Sequence, residues 1–257
     1  VGKRFYNITI NGQSGAKYSL AQPIYLEGSL LVNKGIFDQV LPANTLSISG
    51  DFTVNSSNYG VFNNGNSTVL FNGNNQQIDC SYSFYNVDMS GGSKIAANNI
   101  DINNDITIQA TGSFNGQDKI IYVGRNWTNY GTFSQTGTGT VVFDGTVAQA
   151  VDNAAGVATT FNNITFNNTG AKNINRAFTV AGDFVIAGGI TGGVNFSTYT
   201  ITGAATGLFS ITGATMVSLY GYDNFPVGFG NISLASKMGN LDRVQIYRLL
   251  KSKNTEK

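Results

Sequence analysis

The apolar residues of this chain fall in short alternating words rather than long periodic stretches. Phe5-Tyr6-Asn7-Ile8-Thr9-Ile10 reads aromatic, any, Asn, apolar, any, apolar. The word returns as Phe84-Tyr85-Asn86-Val87-Asp88-Met89, as Phe161-Asn162-Asn163-Ile164-Thr165-Phe166, and as Phe229-Gly230-Asn231-Ile232-Ser233-Leu234. The intervals from Phe5 to Phe84 and from Phe84 to Phe161 are nearly equal, and that from Phe161 to Phe229 is shorter. Alternation with period two marks strands that bury one side. Strand-like words recurring at a long, nearly fixed period mark a repeat architecture.

Other words fill the intervals. Ile24–Val32, Ile100–Ile108 and Phe178–Ile186 each place two alternating triplets around a Gly/Asn-Asp/Ser centre. Leu46–Val54, with Gly50-Asp51 at its centre, is matched by Tyr122–Thr128 and less fully by Tyr199–Gly203. The turn phrase Asn58-Tyr59-Gly60 recurs as Asn129-Tyr130-Gly131. Thr68–Gly73 followed by Gln77 is matched by Thr140–Gly145 followed by Gln149, and weakly by Met216–Gly221. One repeat unit of about 78 residues therefore holds roughly four words near twenty residues apart. The units read as 1–82, 83–160 and 161–228, with 229–257 a degenerate partial unit or cap.

A coil of about twenty residues that holds short strands is the size of one rung of a parallel β-solenoid. The sequence thus predicts an all-β solenoid with about four rungs per unit. Eleven or twelve rungs stacked about 4.8 Å apart would make a rod of roughly 55 Å. The alternative is a row of tandem β-sandwiches, with hairpins at Asn11-Gly12, Asn64-Gly65, Asn72-Gly73 and Asn115-Gly116. In the solenoid, Phe5, Ile8 and Ile10 point inward and lie against Ile24, Leu26 and Leu30 of the next rung. The centres Gly50-Asp51 and Gly182-Asp183, and the glycines Gly73 and Gly145, are expected at corners, where glycine accepts positive φ. Asn7, Asn86, Asn163 and Asn231 are expected to be buried amides that bond the backbone of a turn or stack in ladders.

Composition supports strands and turns. Charged residues are 11%, less than half the usual share, and there are 32 glycines. The net charge of +1 gives no steering toward nucleic acid. The basic group Arg248, Lys251, Lys253 and Lys257 reads as a solvated end. Cys80 is alone, so it forms no internal disulfide and reads as a small buried residue. No apolar run is long enough to span a membrane, and Val1 does not open a signal peptide. The chain reads as a mature form or a piece of a longer one.

The inventory of chemistry is thin. With no histidine there is no Ser-His-Asp triad and no histidine-bearing zinc site. No cofactor is expected. The carboxylates Asp51, Asp105, Asp144 and Asp183, with Arg125, are the best enzymatic candidates. However, Asp51, Asp105 and Asp183 fill the same slot of related words and so serve the repeat. Trp127 stands where the first unit has Phe52, which makes it core. Tyr59 and Tyr130, in the Asn-Tyr-Gly turns, are weak candidates for stacking on a sugar. A rod without a site predicts that no cleft gathers three ionisable side chains. A polysaccharide-active solenoid predicts a groove holding Arg125 and at least two aspartates.

Taken together, Phe5–Ile10, Gly50-Asp51-Phe52, Thr68–Gly73 with Gln77, and their copies resemble the repeats of long surface proteins of Bacteroidota. Many proteins of that kind leave the cell by type 9 secretion, and gliding-motility adhesins are among them. The resemblance covers about residues 5–221 and implies a secreted, non-catalytic stalk or adhesin segment. It implies surface glycans or other surface and secretion components as partners, and rods that associate side by side or end to end. It supplies no catalytic residues. The second expectation is a β-helix that binds or cleaves polysaccharide.

Overall fold

The computed structural model describes residues 2–39, 44–187, 189–212 and 226–234, and the backbone of 219–220. These residues form a parallel β-solenoid. Every strand pair is parallel. Partners come from successive turns of the coil: Val69 meets Val87 on one of the shorter turns, and Val194 meets Leu219 on one of the longer. The only described helical element is a 3-10 turn at Ser56–Asn58. Tandem sandwiches are therefore ruled out. The Asn-Gly pairs are not hairpins but corners that carry the chain from one face to the next.

Each rung has three faces. Face A is one sheet of eleven strands, from Lys3–Phe5 to Leu219–Tyr220, making about ten turns. Face B runs from Ile8–Asn11 to Thr132–Ser134 and continues through Thr160–Phe161, Phe178–Val180 and Ile201–Gly203. Face C begins at Lys17–Ser19 and runs from Ile100–Ile102 to Asn231–Leu234. The strand Leu30–Asp38 belongs to two faces: Leu30–Val32 pairs on face B and Gly35–Asp38 on face C. Gly35 makes that bend at φ 101°, which a side chain would resist.

The repeat does not keep to one face. From Ile8 on face B the chain takes eleven face-to-face steps to reach Val87 on face A. Eleven more bring it to Ile164 on face C. Three faces make a rung, so each unit is one face short of four rungs. The second and third copies of the word therefore each sit one face back from the copy before. From Ile164 to Ile232 there are nine steps, three whole rungs, which returns the fourth copy to face C. This explains why the interval from Phe161 to Phe229 is shorter than the two before it.

Inward positions merge into one continuous core. Phe52 on face B, Phe71 on face A, and Phe62 and Phe84 on face C meet with ring centroids 5.2–6.1 Å apart. Higher up, Phe143, Phe166, Phe184 and Phe209 stack along face C at 5.4, 5.1 and 5.3 Å. Such pairs contribute about 0.5–1.5 kcal/mol each beyond their burial. The first word departs from expectation at its aromatic residue. Ile8 pairs with Leu30 and Ile10 with Val32, but Phe5 pairs with Leu26 and is 44% exposed. Its counterparts Phe84, Phe161 and Phe229 are buried. Phe5 lies on the first described rung, with a neighbour on one side only.

The basic group at Arg248–Lys257, most of the weak copy Met216–Gly221, and the part of the partial unit or cap beyond Leu234 lie outside the described residues.

Candidate functional site

The recurrent asparagines do bond the turn of the next rung, but they are not buried. Asn7 Oδ1 accepts the Ser29 N–H at 2.7 Å, Asn86 Oδ1 the Asp105 N–H at 3.2 Å, and Asn163 Oδ1 the Asp183 N–H at 2.8 Å. Asn7 is exposed, and Asn86 and Asn163 are half-buried. Asn231 is exposed and bonds Gly207 through its backbone. The acceptor of each bond is followed by another one rung up. Ser29 Oγ accepts from Asp51 N, and Asp51 Oδ1 from Gln77 N at 2.8 Å. Asp105 Oδ1 accepts from Asn126 N at 3.1 Å, and Asn126 Oδ1 from Ala150 N. Asp183 Oδ1 accepts from Leu208 N at 2.9 Å. Three corner ladders result, one per unit, each on a different corner because the repeat shifts by a face. A separate asparagine ladder, Asn11–Asn33–Asn55, has amide bonds of 2.8 and 3.0 Å.

The glycines beside these residues do not take positive φ, contrary to expectation. Crowding explains them instead. A Cβ on Gly28 or Gly182 would collide with Asn7 Oδ1 or Asn163 Oδ1. On Gly50, Gly73 or Gly145 it would collide with backbone atoms of the preceding rung.

A second recurrent device joins rungs inside the core. Gln76 Oε1 accepts from Gly73 N, while its Nε2 donates to Ile48 O and Gly50 O. Gln149 makes the same three bonds, to Gly145 N, Val123 O and Arg125 O. The counterpart of Gln149 is therefore Gln76, not Gln77, because the first turn is one residue shorter. One rung later each glutamine pairs in register with a buried lysine, Gln76 with Lys94 and Gln149 with Lys172. Lys94 Nζ donates to the carbonyls of Gly73, Ser90 and Gly92. Lys172 Nζ donates to Gly145 O at 3.1 Å and Gln149 Oε1 at 2.5 Å. Burial pushes both ammonium groups down to about 8, partly opposed at Lys172 by Asp144. The sequence carries no visible signal of this, since lysine is normally an exposed residue.

The candidate enzymatic residues are dispersed. Asp51 lies at the A–B corner, Asp105 at the C–A corner and Asp183 at the B–C corner, each within a ladder. Arg125 is exposed at the C–A corner. Trp127 is fully buried against Phe133 and Phe161, as its place in the word implies. Cys80 is buried, and desolvation pushes its thiol up to about 12, so it has no reactive thiolate. Tyr59 and Tyr130 are exposed, but on different corners, B–C and A–B. They do not form one surface.

One aspartate of that set does line a cleft, together with a residue that sequence reasoning passes over. Asp101, Tyr122 and Asp144 rise on successive rungs of face C. Asp101 pairs in register with Tyr122, and Tyr122 with Val142, two residues before Asp144. With Ser81, Asn98 and Asn99 they line a cavity of about 420 Å³. The expectation that no cleft gathers three ionisable side chains is thus not met, and Arg125 is not among the lining residues. Among the described residues neither carboxylate forms an ion pair or bonds a neighbouring rung. Desolvation holds the Asp101 carboxyl above its ordinary range. The Asp144 carboxyl is raised by desolvation and, second, by the charge of Asp101. The usable signal in the sequence is that Asp101 sits in no recurrent slot.

The fold and this face define a three-sided parallel β-solenoid with a polar, carboxylate-bearing cleft. No protein-family model, curated protein or solved structure matches the chain. Among the described residues no helix is long and apolar enough to cross a membrane, and no three metal-ligating side chains cluster.

Proposed function

We propose that this chain is a non-catalytic stalk or adhesin segment of a secreted bacterial surface protein. The observation that carries this reading is the engagement of its recurrent polar residues. The ladder asparagines and aspartates and the Gln–Lys pairs hold one rung to the next, as a spacing element requires. The resemblance of the repeated words to those of Bacteroidota surface proteins supports export by type 9 secretion and a gliding-motility adhesin. Two experiments test the reading. Antibodies to the chain should label intact cells of the source organism; labelling only after lysis contradicts it. Incubation with acidic and neutral polysaccharides should release no shortened products; depolymerisation contradicts the non-catalytic part.

A second reading, a solenoid that binds or cleaves polysaccharide, is favoured by the cleft around Tyr122. It shares the rod and differs in giving face C a ligand.

A further inference from the structure

The Tyr122 cleft does not stand alone. A second cavity, also about 420 Å³, lies on face B beside Leu31 and Thr53, and shares Ser81 and Asn98 with the first. The two form one groove that begins on the second rung, crosses the B–C corner, and ends at Asp144 on the seventh. Five rung spacings of about 4.8 Å give it a length of about 24 Å along the rod. The lining is chemically uniform. Its charges are all carboxylates, Asp79, Asp101 and Asp144, and no lysine or arginine contributes. Most of the remainder is amide and hydroxyl, and Tyr122 supplies a half-buried ring.

We propose that this groove binds an extended, uncharged glycan chain, with the Tyr122 ring against the apolar face of one sugar and Asp101 and Asp144 accepting its hydroxyl protons. The length and shape call for a linear ligand. Unpaired carboxylates beside amides call for a ligand rich in hydroxyl donors. An aromatic ring among them suits the C–H face of a sugar, since one side of the ligand is then apolar and the other polar. The sign of the charge excludes acidic polysaccharides and nucleic acids, which the groove would repel. The groove thus holds aspartates without Arg125, unlike the groove expected of a polysaccharide-active solenoid. The raised carboxyl groups agree, because hydroxyl donors would stabilise carboxylates whose charged form partial desolvation disfavours. The inference deepens the second reading under Proposed function and is independent of the stalk: a rod with an empty groove is still a rod.

The test is retention of glycans on the immobilised protein. The probes are cello-, manno- and chito-oligosaccharides, with polygalacturonate, alginate, chitosan and calcium ion as contrasts. The protein should retain at least one uncharged series and neither acidic polymer. Tyr122→Ala should weaken retention about tenfold or more; Tyr122→Phe, which keeps the ring, should largely preserve it. The double variant Asp101→Asn/Asp144→Asn should also weaken it, with unchanged circular dichroism. Retention of no uncharged series overturns the proposal. So does binding of only chitosan or calcium, or uncharged-glycan binding that survives both Tyr122→Ala and the double variant. Release of shortened products by the wild type would instead overturn the non-catalytic reading while leaving the groove assignment standing.

Discussion

Asp101 and Asp105 are one short strand apart and have opposite surroundings. Asp105 sits at a corner, where its carboxylate accepts the N–H of Asn126 on the next rung and the amide of Asn104. Asp101 lines the groove on face C, and among the described residues its carboxylate, raised by desolvation, bonds no neighbouring rung. Asp105 is equivalent to Asp183 in the third unit; Asp101 has no recurrent counterpart. Here the recurrent side chain joins rungs, whereas the non-recurrent one faces the groove.

This contrast can be broken at several strengths. The largest effect is expected from Gln149→Ala, which leaves Gly145 N, Val123 O, Arg125 O and Lys172 Nζ without their buried partner. It should cost about 2–4 kcal/mol, read as a lowered urea midpoint, given the penalty for orphaned buried polar groups. Asn86→Ala removes a half-buried acceptor of two bonds and should cost about 1–2 kcal/mol. An unchanged melting temperature would remove the corner ladders from the account.

The buried lysines add a pH signature. Their folded values near 8 lie below the unfolded value of 10.5, so the unfolded chain binds more protons between them. Stability should therefore rise as pH increases through that window, by at most roughly 1 kcal/mol per pH unit for each lysine. Urea midpoints from about pH 8 to pH 9.5, below tyrosine ionisation, should show the rise. Lys94→Met and Lys172→Met should each flatten it. The smallest effect on stability belongs to Asp101→Ala, within about 0.5 kcal/mol, as for surface positions without structural partners.

Much of the rod is legible in the chain. Period-two words about twenty residues apart specify strands and rung length, and the absence of linkers between units fits a single continuous core. The rotation of the repeat is not legible. It emerges only when faces are counted, because the intervals between Phe5, Phe84 and Phe161 each divide into eleven face steps rather than twelve. The glycines do mark corners, but for another cause than turn chemistry: backbones of adjacent rungs approach too closely for a Cβ, a relation between distant residues that a local reading does not reveal. Equal spacing points to Gln77, whereas the buried amide of Gln76 follows the shorter turn. Lys94 and Lys172 are invisible because nothing local distinguishes a lysine that bonds buried carbonyls from one in water. The groove is half visible: Asp144 stands out, but its neighbours Asp101 and Tyr122 come from earlier rungs and only the coil brings them together.

The most direct measurement compares Asp105→Ala with Asp101→Ala in two assays on the same preparations, urea unfolding and retention of an uncharged oligosaccharide. Asp105→Ala should lose about 1–2 kcal/mol of stability and keep its retention. Asp101→Ala should keep its stability and lose retention. If both variants lose stability equally, or if neither assay separates them, the division between residues that join rungs and residues that face a ligand is wrong.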